Sequence, residues 1–227
     1  DVAGIIGGLC SAETSAFVDL LDSSKTPAVS YGSSAPKLSD AGPYFFRTYP
    51  SDSREAVFAA DYIKNEMDID KAAVMYTKDD FGQGLAEAFR SAFKDAEGTI
   101  TTVESFKKSS RDLRTQIAKV QESDPELIYF IGFTQATVPG VRQIREAGLD
   151  VPLFGASSWS DTTIWEELGS TGEGARVVTL DVNESEEFAQ KLKERGAESV
   201  TLGSTNAYDA TRILLEAIEE VGMDGTK

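Results

Sequence analysis

The sequence predicts an α/β protein built from parallel sheets with helices on both faces. Three observations carry that prediction. Short apolar runs alternate with amphipathic helical stretches along nearly the whole chain. Several of those runs close on glycine or small polar residues directly before a helix start. A content of 41% hydrophobic residues in 227 supplies a core large enough to cover both faces of a sheet. Alternation of this kind calls for crossover connections, and crossovers give parallel strands.

The elements follow in order. Residues 2–7 form a compact apolar run ending in glycines, as a buried parallel strand should. Ser11 opens a helix that runs to about residue 21, with Glu13 in its positive first turn. Residues 27–30 read as a second strand, 32–36 as a loop of small residues, and 44–48 as extended and aromatic. Ser51 or Ser53 caps a helix in which Ala56, Val57, Ala60, Ile63 and Met67 recur at helical spacing.

Strand 71–76 then leads into helix 82–96, whose inner face includes Leu85, Phe89 and Phe93. Strand 99–106 is followed by helix 113–122, which turns Ile117 and Val120 inward. Strand 127–132, helix 136–147 and strand 151–154 continue the alternation. A loop holding Trp159 precedes a short helix over 162–168, a strand over 175–180, and two last helices over 185–195 and 206–221. The stretch 51–178 is a self-contained run of four or five βα units. Its flanks are too short for a complete sheet, so the lobe they share is expected to lack strands.

Composition excludes several functions. With 38 acidic against 22 basic residues the formal charge is -16, which repels phosphate backbones and argues against nucleic acid as a partner. Apolar runs stay well short of the roughly 18 to 20 residues that span a bilayer, so no direct membrane insertion is expected. The chain has no histidine and one cysteine, Cys10, so Ser-His-Asp and Cys-His catalysis and the usual zinc sites cannot be built. Asp79 and Asp80 lack the spacing of a calcium loop, and no metal or cofactor is expected. Ser11 lies in Gly8-Leu9-Cys10-Ser11-Ala12, which is no nucleophile elbow, and neither a P-loop nor a dinucleotide fingerprint follows a strand. No enzymatic activity is expected.

Ligand binding is the better supported reading. In open α/β sheets, ligands sit beyond the carboxyl ends of strands, where loops enter helix N-termini. The junction Gly7-Gly8-Leu9-Cys10-Ser11 is such a place: its backbone N–H groups and helix dipole attract a carboxylate. Ser11 is read there either as a ligand contact or as an ordinary N-cap. Gly32-Ser33-Ser34-Ala35-Pro36 is a second strand-end loop, readable as donor loop or plain turn. Phe81, in Asp79-Asp80-Phe81-Gly82, and Phe133, after Gly132, stand at two further strand ends as ligand platform or core.

These segments resemble a known family. Ile5-Ile6-Gly7-Gly8-Leu9-Cys10-Ser11-Ala12-Glu13-Thr14 is similar to the strand-to-helix junction of type I periplasmic binding proteins, in particular the leucine/isoleucine/valine receptors of ABC transporters. Ser30-Tyr31-Gly32-Ser33-Ser34-Ala35-Pro36-Lys37-Leu38 resembles that family's serine-rich loop. Phe46-Arg47-Thr48 looks like its hinge-crossing strand, Asp79-Asp80-Phe81-Gly82-Gln83-Gly84 like its D-x-x-[YF]-G-x-G segment, and Ala207-Tyr208-Asp209-Ala210 like its A-Y-D-A helix.

The resemblance implies a two-lobed fold, with a partial lobe 1 from residues 1–49 and 181–227 and lobe 2 from 50–180. It implies hinge closure over a small amino acid, branched-chain or aliphatic, and delivery to the membrane permease of an ABC transporter. It also implies a periplasmic or extracellular setting, with a lipid anchor in the full-length protein as one form. Ser11, Ser33 and Ser34 align with contacts to the amino acid's carboxylate and ammonium, and Phe81 and Phe133 with aromatics that cover it. Ser157 falls where the family's amino acid receptors carry a carboxylate for the ammonium, so Asp161 or Asp209 is left to substitute. With a neutral Ser157, a carboxylate lacking an amine is the rival ligand, and Trp159 would then stack on an aromatic acid. A sensing domain of a signalling receptor is a further alternative. Against the family pattern the chain looks truncated at both ends. Cys10 aligns with a cysteine that some members pair with one further toward the N-terminus; otherwise it reads as a buried free thiol.

Overall fold

The computed structural model describes residues 2–181, 185–197, 200 and 203–223. Its strands are β1 Ile5–Ile6, β2 Ala28–Ser30, β3 Phe45–Arg47, β4 Lys71–Thr77, β5 Thr99–Phe106, β6 Leu127–Ile131, β7 Leu153–Gly155 and β8 Arg176–Val177. The α-helices are α1 Ser11–Ser24, α2 Asp52–Asp61, α3 Asp80–Asp95, α4 Arg114–Glu122, α5 Thr134–Glu146, α6 Thr162–Leu168, α7 Glu186–Glu194 and α8 Ser204–Val221. The chain divides into two compact units, one from Asp1–Ser51 with Leu180–Lys227, the other Asp52–Thr179. Parts of the flank expected to complete lobe 1, at 182–184, 198–199, 201–202 and 224–227, lie outside the described residues.

In the second unit five parallel strands pair in the order β5-β4-β6-β7-β8. Residues alternate between the sheet's two faces, and so do their packing partners. Ala73, Met75, Ile128 and Phe130 pack with Ile117 and Val120 of α4 and with Val138, Val141 and Ile144 of α5. Ala72, Val74, Leu127, Tyr129 and Ile131 pack instead with Ala56, Ala59, Ala60 and Ile63 and with Leu85, Phe89 and Phe93 of α3. Every residue of β6 is buried, which is why it reads as one unbroken apolar run.

The inward stripe of α2 is Ala56, Ala59, Ala60 and, in the π turn beyond it, Ile63. Val57 is 61% exposed and does not belong to that stripe. One residue of advance turns a helix by about 100°, so Val57 beside Ala56 faces outward. The strands expected over 2–7 and 175–180 are shorter, at Ile5–Ile6 and Arg176–Val177.

In the first unit β1, β2 and β3 form a parallel sheet in that order. Ala28 and Phe45 pack with Val18 and Leu21 of α1, while Val29 packs with Ala210 and Leu214 of α8. Phe188 docks α7 on α8 by an edge contact with Tyr208, ring centroids 5.4 Å apart. Thr48 and Asn206 exchange hydrogen bonds: Thr48 Oγ1 donates to the Asn206 carbonyl at 2.9 Å, and Asn206 Nδ2 to the Thr48 carbonyl at 2.8 Å.

Candidate functional site

The second unit's sheet starts at β4, adds β5 on one side and then β6 on the other. The loops after β4 and β6 therefore leave the sheet in opposite directions, which opens a crevice at their carboxyl ends. Phe81 and Phe133 occupy those two loops. Asp79 caps α3 by accepting from Gly82 N at 2.9 Å, which sets Phe81 in the first turn. Only glycine fits at 82, because a Cβ there would lie 2.1 Å from the Thr77 carbonyl oxygen. Phe133 is the N-cap residue of α5. The two rings lie 5.4 Å apart, tilted by 44°, and both are partly exposed. Lys108, just past β5, holds its Nζ 4.1 Å from the Phe133 centroid. Three successive strand-end loops thus meet around one aromatic pair.

The turn after β7 joins the same edge. Ser158 Oγ donates to the Gly132 carbonyl at 2.8 Å and fixes this turn to the loop that carries Phe133. Ser157 is 6% exposed, and its backbone N–H donates to Glu55 Oε1 at 3.0 Å. The Tyr129 hydroxyl donates to the same oxygen, also at 3.0 Å. Burial raises the Glu55 carboxyl above the usual carboxylate range, against the lowering effect of the hydrogen bonds from Ser157 and Tyr129. The same burial, with Glu55 beside it, pushes the Tyr129 hydroxyl well above its ordinary value.

Trp159 lies in the core, 0% exposed, rather than at the surface of this loop. Its ring sits between Phe130 at 5.6 Å and Trp165 at 6.0 Å, and a Cβ on Gly155 would come within 2.4 Å of it. The indole thus fills the space that Gly155 leaves and is not free to stack on a ligand in this arrangement. Asp161 is exposed and caps α6, accepting from Thr163 N at 3.0 Å and from the Thr134 hydroxyl, whose bond is the main cause of its lowered pKa. Asp209 is exposed on α8.

In the first unit, Cys10 rather than Ser11 is the N-cap residue of α1. Ser11 is 2% exposed, and its Oγ accepts from Ala35 N at 3.1 Å. The helix entrance is not open to an incoming carboxylate throughout, because Leu9 N and Cys10 N donate to Glu13 Oε2 at 3.1 and 3.0 Å. Ser33 Oγ donates to the Gly8 carbonyl at 3.1 Å and lies 2.7 Å from Thr14 Oγ1. Ser30 Oγ donates to the same carbonyl at 2.8 Å and accepts from Ser33 N at 3.0 Å. Arg47 donates from Nη1 to the carbonyls of Ser33 at 3.3 Å and Ala35 at 3.0 Å, closing the loop from behind. Ser11 and Ser33 are thus spent on building the loop. Ser34, 4% exposed, is the serine that this network does not use. Cys10 is of intermediate exposure and not buried.

Sequence reasoning did not find Glu55 or Lys108. An acid in the first turn of a helix and a lysine after a strand are ordinary surface features, and neither carries a signal of its own. Among the described residues no group of three or more His, Cys, Asp or Glu could hold a metal, and no helix is long and apolar enough to cross a membrane. A cavity of about 540 Å³ lined by Arg90, Lys94, Thr99 and Ile100 stands at the amino end of β5, away from these loops.

A model of the periplasmic binding protein family matches residues 1–227. An amino acid binding protein of Pseudomonas aeruginosa is 30% identical over 175 residues, which are 77% of this chain and 46% of that protein. The leucine-specific-binding protein of Salmonella typhimurium is 26% identical over 82% of this chain and 51% of its own length. The chain spans about half the length of these curated relatives. Among solved structures, a leucine binding protein from Thermotoga maritima superposes with a TM-score of 0.89 at 22% identity, covering 99% of this chain and 66% of that one. A solute binding protein from R. palustris, in complex with 4-hydroxybenzoate, gives 0.87 at 22% identity, covering 99% and 64%. At that identity the likeness is one of fold.

Proposed function

Because the chain belongs to the periplasmic binding protein family, we propose that it is an extracytoplasmic receptor that binds a small organic acid without transforming it. An amino acid with an aliphatic side chain is the first choice of ligand, and the permease of an ABC transporter is its membrane partner. The observation that carries this reading is the meeting of strand-end loops around Phe81 and Phe133, with the hydrogen-bonded Ser157 turn fixed beside them. An apolar ring surface next to polar turn groups suits a ligand that is apolar at one end and ionised at the other. The names of the amino acid and leucine binding relatives support the same class.

In this proposal Phe81, Phe133 and Ser157 of the second unit touch the ligand, and Ser34 is kept as the first unit's own candidate contact. Ser11 and Ser33 hold the loop that presents Ser34, and Trp159 braces the Ser157 turn from the core. Asp209 stays in the set as an exposed carboxylate. Capture by hinge closure and a periplasmic or extracellular setting are parts of the same proposal.

One observation favours a second reading, a carboxylate without an amine. Lys108 brings a cation to the aromatic pair, and a fold neighbour was solved with 4-hydroxybenzoate. Calorimetric titration with leucine, isoleucine, valine, phenylalanine and benzoate tests both. Binding of the aliphatic amino acids supports the first reading and binding of benzoate alone the second. Silence across the panel would overturn the receptor for small carboxylates.

A further inference from the structure

Glu55 stands out in the second unit as a carboxylate that receives neutral donors and, among the described residues, no cation. The Ser157 N–H and the Tyr129 hydroxyl both reach Oε1, each at 3.0 Å. Among the described residues the ion pairs join Lys64 to Asp70, Arg114 to Asp112, Lys119 to Glu104, Lys191 to Glu187 and Arg212 to Glu216, all elsewhere. A carboxylate drawn out of water without a counter-ion is costly, and the cost falls when a cation arrives. The group is not sealed off, since Glu55 is only partly buried.

Its position is set by rigid parts. Glu55 lies in the first turn of α2, Tyr129 at the centre of β6, and Ser157 in the turn that Ser158 fixes to the Gly132 carbonyl. Two fixed donors on Oε1 orient the carboxylate, and the Ser157 hydroxyl faces it as well. The carboxylate's second oxygen keeps lone pairs for a donor from a ligand.

We propose that Glu55 is the counter-charge for a ligand ammonium, received at the Ser157 turn, and that it makes this site prefer amino acids over the corresponding plain carboxylic acids. The proposal rests on the reading of the chain as a receptor for small carboxylates, and deepens it by naming the residue that selects the amine. Glutamine at position 55 keeps an oxygen for Ser157 and Tyr129 while removing the charge.

Two ligand pairs differ only in the ammonium: leucine with 4-methylpentanoate, and phenylalanine with 3-phenylpropanoate. Calorimetric titration of the native chain and of Glu55→Gln with all four reads the preference as a ratio within each pair, so a change in folded fraction cancels. The expected result is a native preference for the amino acid that falls by at least about tenfold in the variant, with the plain acid held as before or tighter. An unchanged ratio would overturn the role of Glu55 while leaving the receptor in place. A native preference for the plain acids would do the same and favour the second reading. Binding of none of the four by the native chain would overturn the proposed function and Glu55's role together.

Discussion

Phe81 and Phe133 follow different strands of one sheet, yet their ring centroids lie 5.4 Å apart. The strands are β4 and β6, which pair directly, and the topology reverses between them. Both rings keep part of their surface in solvent, so the pair offers an apolar face without being core. Removing one ring with Phe133→Ala is expected to weaken leucine or benzoate, whichever binds, by about tenfold, since such ring contacts are worth about 0.5–1.5 kcal/mol beyond their area. Calorimetry on the native chain and the variant checks this, and equal affinities would remove the pair from the site.

Thr14 and Ser33 predict stability rather than affinity. Their hydroxyls lie 2.7 Å apart and buried, and Gly8 N donates to Thr14 Oγ1 at 3.3 Å. Thr14→Val keeps the shape and deletes the oxygen, leaving the part-buried Gly8 N–H without its acceptor at a cost of about 1–3 kcal/mol. Thr14→Ser is expected to cost less. Urea midpoints at an unchanged slope separate the two variants.

Trp159 predicts a graded series. The residue is wholly buried, and its indole N–H has no acceptor among the described residues. Trp159→Ala is expected to cost about 3–5 kcal/mol through the cavity it opens. Trp159→Phe leaves a smaller cavity and deletes an unsatisfied donor, so its loss should be the lesser one. Thermal unfolding of both variants measures the order, and equal losses would mean that neither the cavity nor the orphan donor sets the cost.

Glu55 predicts a pH dependence whose sign follows from burial. Its folded pKa lies above its ordinary value of 4.5, so the folded state holds the proton more tightly than the unfolded one. Stability from that proton is fully present below about 4.5 and is lost as the pH rises through the raised value. The groups that face it are the Tyr129 hydroxyl, neutral because its own pKa is pushed up, and the Ser157 turn, while Asp52 lies one turn earlier on the same helix. Glu55→Gln, which cannot ionise, should therefore melt higher than the native chain at pH 7 and lose that advantage at pH 4. The same difference at both values would mean that the carboxyl titrates as an ordinary surface acid.

Much of the second unit's architecture was legible because apolar periodicity reports burial directly. Phe89 and Phe93 fall on the inner face of α3 as their spacing requires, and β6 is as buried as its unbroken run implies. Val57 was misplaced because its residue type favours the interior, while its neighbours Ala56, Ala59 and Ala60 already fill the inward stripe of α2. Ser11 could be placed at a helix start, but not its hydrogen bond to Ala35, which spans 24 positions. The meeting of Glu55 with Ser157 spans 102 positions and leaves no local trace at either residue. Side chains that act through distant partners are hidden from periodicity, whereas those that act through their own helix or strand are not.

The reciprocal bonds between Thr48 and Asn206 bear on the order in which the chain matures. They join positions separated by 158 residues, and the whole second unit lies between them. All strands and helices of that second unit are synthesised before Asn206 is added. Most of the second unit can therefore mature during synthesis, while β1 and β2 wait for α8 until residues 204–221 are made. A contact this distant in sequence forms late, because loop closure must precede any gain from it. The first unit should accordingly be the slower-folding part, and the one left unfinished when translation stops early.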